Sequence, residues 1–154
     1  MNIKFLVTGK TENSYIKEGI SDYQQRLSRY INFEMEEIII KGSALNKDLQ
    51  IQKETLRILA AVKSTDHVVL LDETGEQFTS EGLSTKISSF QVNSIQRLVF
   101  ICGGPYGFDE KVYKRANMKL SLSKMTFTHQ MARLIFLEQL YRAFTIIRNE
   151  KYHH

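Results

Sequence analysis

Leu98-Val99-Phe100-Ile101-Cys102-Gly103-Gly104-Pro105 reads as a strand that is apolar at every position and is stopped by two glycines and the only proline of the chain. A strand with no polar side is buried on both faces, as happens in parallel sheets covered by helices. His67-Val68-Val69-Leu70-Leu71 repeats the pattern and ends at Asp72 and Gly75. Nearer the start, Ile3, Phe5 and Val7 form a strand broken by Gly9, and Glu34 to Ile40 forms another, ended by Lys41-Gly42-Ser43. Lys119 to Leu122 makes a short last strand.

The stretches between are helical in period. Residues 12–30 space Tyr15, Ile16, Ile20, Tyr23, Leu27 and Tyr30 along one side. Residues 46–63 place Leu49, Leu56, Leu59 and Ala60 together. Ser80 is placed to cap a helix through Ser89 that buries Leu83, Ile87 and Phe90. A short helix spans Asp109 to Ala116, and a long one runs from His129 to Arg148. Strands alternating with helices predict an α/β fold: a single domain with a mainly parallel sheet and helices on both faces.

The 154 residues are 42% apolar and 25% charged, which excludes a disordered or fibrous chain. The lone Cys102 cannot form an internal disulfide, and no secretory signal or membrane-spanning run is visible, so a cytoplasmic location is expected. A net charge of +4 suits a polyanionic partner such as RNA, although solubility alone accounts for a charge of this size. No cysteine, histidine and carboxylate set has metal-ligand spacing, so no metal is expected.

The last helix is apolar nearly all round, with Met131, Leu134, Ile135, Phe136, Leu137, Leu140, Tyr141, Phe144, Ile146 and Ile147. Such a helix needs cover on several sides. A second copy across a two-fold axis is the expected source, which predicts a homodimer.

Open α/β sheets bind ligands at the carboxyl ends of their strands. Three segments occupy that position: Leu71 to Gly75, Gly103 to Gly107, and Ser121 to His129. The glycine segment lacks the dinucleotide fingerprint and the phosphate-loop lysine; a plain turn and a close ligand contact both fit it. His129 and Arg133 lie one helical turn apart, as do Glu138 and Arg142. The tail Tyr152-His153-His154 reads equally as a frayed end or as an aromatic and imidazole contact surface.

Taken in order, the motifs Phe100 to Gly107, Leu120 to Arg133, Glu138-Gln139-Leu140-Tyr141-Arg142-Ala143-Phe144 and Tyr152-His153 resemble the ribosomal RNA large subunit methyltransferase H family, and the resemblance covers essentially the whole chain. It implies a SPOUT methyltransferase, a dimer whose C-terminal part forms a trefoil knot. The implied reaction transfers a methyl group from S-adenosylmethionine to N3 of a pseudouridine in 23S rRNA of the assembled ribosome. Carried over by position, Leu71, Gly103, Leu122, Ser123, Lys124, Met125, Thr126 and Phe127 are implied to hold the cofactor.

His129 and His153 are the first candidates for handling the N3 proton. Arg133, Arg142, Tyr152 and His153 are the candidates for RNA contact. The chain is short for an RNA enzyme, which leads to a composite site: cofactor from one subunit, RNA contacts from the tail of the other. Two positions depart from the family pattern. Thr128 stands where proline is common, which predicts a less rigid start to the last helix. His154 replaces a basic end, which predicts a weaker phosphate contact. The alternatives are a SPOUT enzyme acting on another RNA position and a non-catalytic ribosome-associated binding protein.

Overall fold

The computed structural model describes residues 1–42 and 46–153. Among them, β1 (Asn2–Thr8), β2 (Asn32–Ile38), β3 (His67–Gln77), β4 (Arg97–Cys102) and β5 (Met118–Ser121) form one sheet in the order β2-β1-β4-β3-β5. Every neighbouring pair is parallel. The helices are α1 (Ser14–Leu27), α2 (Lys47–Ala61), α3 (Ser80–Val92), α4 (Glu110–Arg115) and α5 (His129–Ile147).

The α/β expectation holds because the strand side chains feed two cores. Phe5, Val69, Phe100 and Leu120 enter one, with Phe136, Leu137 and Leu140 of α5. Leu6, Leu70, Val99 and Ile101 enter the other, with Ile58 of α2 and Val112 of α4. Helices α1, α3 and α5 therefore cover one face, and α2 and α4 the other. The Phe136 ring sits 4.7 Å from both Phe5 and Phe100, centroid to centroid, fixing α5 against the middle of the sheet. The sheet, α1 and α3 thus bury Phe136, Leu137, Leu140 and Phe144 of α5, leaving Met131, Leu134, Ile135, Tyr141, Ile146 and Ile147 half-buried.

Several local expectations are corrected. Thr79, not Ser80, caps α3: its hydroxyl accepts from the Gly82 amide at 3.0 Å, while Ser80 donates to Gln139 of α5 at 2.8 Å. In α2 the buried face is Glu54, Thr55 and Ile58, and Leu56 is 69% exposed. The leucines do not set the phase of this helix because they lie off the stripe that meets the sheet. Strand β2 ends at Ile38, and Ile39 is exposed. Ser43, in the expected terminator of β2, and His154, in the tail departure, lie outside the described residues.

Strand β3 runs six residues past the expected end, to Gln77. Both Leu71 and Glu76 face Leu120 of β5, so residues 72–75 bulge outward between them. The Asp72 carboxylate holds the bulge by accepting from the Thr74 amide and hydroxyl at 2.8 and 2.6 Å. Gly75 is required at the return: a Cβ there would stand 2.6 Å from the Leu120 main chain.

Candidate active site

The three segments expected to meet do so. They enclose a cavity of about 690 Å³ beyond the ends of β3, β4 and β5, a size typical of small-molecule sites. The bulge after Leu71 forms one wall, the glycine turn a second, and residues 121–129 the third.

The glycine turn owes its shape to two residues. Gly107 has φ +71°, a left-handed conformation that glycine adopts without penalty, and its amide donates to the Gly104 carbonyl at 3.1 Å. At Gly103 a Cβ would meet the Phe108 ring at 3.0 Å, so the missing side chain lets Phe108 close on the main chain. In the third segment, Ser121 donates to the Ser123 carbonyl and the Met125 amide donates to the Ser123 hydroxyl. These bonds set residues 121–125 as a tight turn whose main chain borders the cavity.

Of the residues expected at the cofactor, Leu71, Gly103, Leu122, Ser123, Met125, Thr126 and Phe127 line this cavity, and Lys124 does not. Met125 is 78% exposed, so the mouth of the cavity carries an apolar lip. Thr128 gives α5 a firm start where proline is absent, its hydroxyl accepting from the Met131 amide at 3.2 Å.

Tyr113 and Phe108 also line the cavity and were not singled out from sequence. Tyr113 donates to Asp72 at 2.6 Å across the cavity wall. Burial works against the Asp72 carboxylate, but the hydrogen bonds from Thr74 and Tyr113 and the Lys119 charge prevail, holding its pKa below the usual range. Tyr113 is pushed up to about 12 by burial and by that same hydrogen bond. Cys102, also on the wall, is raised to about 11 by burial. It is therefore a neutral thiol and a poor nucleophile.

His129 lines the cavity, and burial together with the nearby Arg133 charge lowers its pKa, so it is an uncharged imidazole at neutral pH. Arg133 departs from the expectation of RNA contact. It is fully buried, donating to the Thr11 hydroxyl at 2.8 Å and the Thr8 carbonyl at 2.6 Å. A side chain with no exposed surface reaches no phosphate in this conformation. Gln130 completes the tie, donating to the Lys10 carbonyl and accepting from the Glu12 amide.

The remaining candidates assemble elsewhere. Arg142 pairs with Glu138 and lies over the Tyr152 ring, 4.7 Å from its centroid. Tyr152 donates to Glu138 at 3.1 Å, and His153 bridges Glu81 of α3 at 2.7 Å and Arg142 at 3.4 Å. Glu138 and Arg142 follow His129 by nine and thirteen residues, about 14 and 20 Å along the helix at 1.5 Å per residue. At about 100° per residue they also lie on the opposite side of α5 from His129. The structure thus brings Tyr152, His153 and Arg142 together, but away from the cavity of their own chain. Among the described residues no group of three histidines, cysteines or acids could hold a metal ion. No helix among them is long and apolar enough to cross a membrane.

A family model described as "Predicted SPOUT methyltransferase" matches residues 1–153. A ribosomal RNA large subunit methyltransferase H from Christiangramia forsetii is 52% identical, over 100% of this chain and 99% of its own length. Its namesake from Cytophaga hutchinsonii is 47% identical over 100% of both chains. The solved tRNA (m1G37) methyltransferase of Aquifex aeolicus superposes with a TM-score of 0.55 at 17% identity, covering 92% of this chain and 70% of that one. At that identity it speaks for the fold alone.

Proposed function

The chain belongs to the SPOUT methyltransferase family, among its ribosomal RNA large subunit methyltransferase H members, and on that premise we propose that it methylates N3 of a pseudouridine in 23S rRNA of the assembled ribosome, in the cytoplasm, as a homodimer using S-adenosylmethionine. The observation that carries this reading is the cavity at three strand ends, lined by seven of the eight residues expected at the cofactor. The chemistry of its walls fits that group. Leu71, Leu120 and Leu122 offer apolar surface for a purine, and the turns at 103–107 and 121–126 offer main-chain donors and acceptors. The neutral Cys102 thiol does not compete for a methyl group. The family membership is what supports a C-terminal trefoil knot in this chain.

S-adenosylmethionine supplies, when bound, a methyl group already activated by its sulfonium. The protein is left with orientation and with the N3 proton. His129 lies at the cavity as the free imidazole, the form that can accept a proton; base assistance of this kind is worth roughly a hundred- to ten-thousand-fold. In this reading Arg142, Tyr152 and His153, which cluster on another surface, are the RNA contacts, and a second copy of the chain brings its own Tyr152-His153 end to the cavity.

Calorimetric titration with S-adenosylmethionine, followed by methyl transfer to ribosomes with and without prior pseudouridylation, tests the proposal. Donor binding with transfer to modified ribosomes is expected. Absence of donor binding refutes the proposal, and transfer to a different nucleotide moves the target while leaving the fold and cofactor.

A further inference from the structure

The geometry points to a second RNA contact: a groove between the end of β2 and helix α2 that grips the backbone flanking the target base. The inference rests on the methyltransferase reading above. The groove has a volume of about 560 Å³. Ile39, Ile40 and Leu56 line it together with Lys41, Lys53 and Arg57. The one acid there, Glu37, has a carboxylate oxygen turned to the Thr11 amide, 2.9 Å away.

The groove sets exposed apolar surface beside positive charge. Leu56 and Ile39 are 69% and 46% exposed, side by side with the cations rather than scattered over the surface. None of the three cations has an ion pair or a side-chain hydrogen bond among the described residues, so their charge is available to a ligand, as it is at other surface cations such as Lys17 and Arg29. Unpaired positive charge beside apolar surface complements a nucleotide: phosphates for the cations, and a base or sugar face for the aliphatic surface. It does not complement a second copy of this chain, which carries the same net positive charge.

Position strengthens the assignment. All the strands are parallel, so the groove at the end of β2 lies on the same edge of the sheet as the cavity. Strand β2 is two places from β4 and three from β3, about 10 and 14 Å at a spacing near 4.8 Å. A few nucleotides span that distance. The exposed Lys10, in the turn after β1, lies between the two sites. An RNA strand laid along this edge meets the groove, then Lys10, then the cavity.

The test uses the full chain carrying Lys53→Glu with Arg57→Glu, and a second variant with both residues changed to glutamine. Arg57 is exposed and Lys53 half-buried, and neither belongs to a core, so the fold should be kept, which circular dichroism of both variants checks. The expected result is a KM for ribosomes raised at least tenfold, with kcat at saturation and the affinity for S-adenosylmethionine unchanged. The salt dependence should also fall, the log–log slope losing roughly 0.7 for each phosphate contact removed. An unchanged KM overturns the proposal. So does a raised KM with the original salt slope, which would place a protein surface of the ribosome in the groove. Failure of the unaltered chain to methylate ribosomes would instead strike the functional reading.

Discussion

Arg133 of α5 and Thr8 of β1, 125 residues apart, meet at 2.6 Å, the buried guanidinium donating to the carbonyl that ends the first strand. A second nitrogen of the same group reaches the Thr11 hydroxyl. The arginine pins the turn after β1 onto the helix that begins at the cavity. Replacing it with alanine leaves two buried acceptors unpaired, at about 1–3 kcal/mol each, besides a void. Arg133→Ala should therefore lower the urea midpoint strongly, and Arg133→Lys should recover only part of the loss, because an ammonium cannot span both acceptors. Equilibrium unfolding measures this. In folded Arg133→Lys protein the salt slope for ribosome binding should be unchanged; a reduced slope would return Arg133 to the RNA surface.

Gly75 sets a second expectation. A methyl group there would press into main chain of β5, 2.6 Å away, where no flexible side chain can give way. Overpacking of this kind costs about 1–3 kcal/mol, and here the distortion falls on the wall of the cavity. Gly75→Ala should lose both stability and donor affinity. Calorimetry with S-adenosylmethionine reads the second effect, and an unchanged dissociation constant would separate the Gly75 contact from the site.

These two residues show what was legible in the sequence. The strands, their parallel pairing and the three cavity segments followed from apolar runs and the glycines that end them. The role of Arg133 was not legible, because its partners are a carbonyl and a hydroxyl 122 or more positions away and no local pattern marks them. The α2 face was misplaced for a related reason: Glu54 and Thr55 are buried there while Leu56 is not, and apolar periodicity cannot see buried polar residues. Tyr113 escaped because six-residue α4 is too short to show a period.

The low pKa of His129 gives a pH dependence with a definite sign. Burial and the Arg133 charge favour the neutral ring in the folded state. The stability this contributes is present above the ordinary histidine value of 6.5 and is lost as the pH falls below it. Asp72, whose folded pKa is depressed from 3.8, loses its contribution only at still lower pH, and Tyr113, raised from 10.0, only in alkali. His67, whose pKa burial also lowers, adds to the same loss, so between pH 7.5 and 5 unfolding free energy should drop in the parent protein, and His129→Asn should make the drop smaller without removing it. An equal drop in the variant would assign the dependence elsewhere.

Tyr152 and His153 are held by Glu138, Arg142 and Glu81 on the side of α5 away from the cavity. Removing residues 151–154 should abolish methyl transfer to ribosomes while donor binding persists within twofold. Glu138→Gln should weaken the tail without removing it, giving an intermediate loss of kcat. Donor binding lost together with the tail would mean that the end of the chain supports its own cavity.

The central claim is that cavity and tail act together only across two copies of the chain. Mixing subunits tests it most directly: one carries Gly103→Val, which fills the cavity against Phe108, and the other lacks residues 151–154. Each parent should be inactive on ribosomes, and the exchanged mixture should regain methyl transfer, because one of its two sites is then intact. A mixture that has demonstrably exchanged subunits and stays inactive, or a tail-deleted parent that is fully active, would contradict the account.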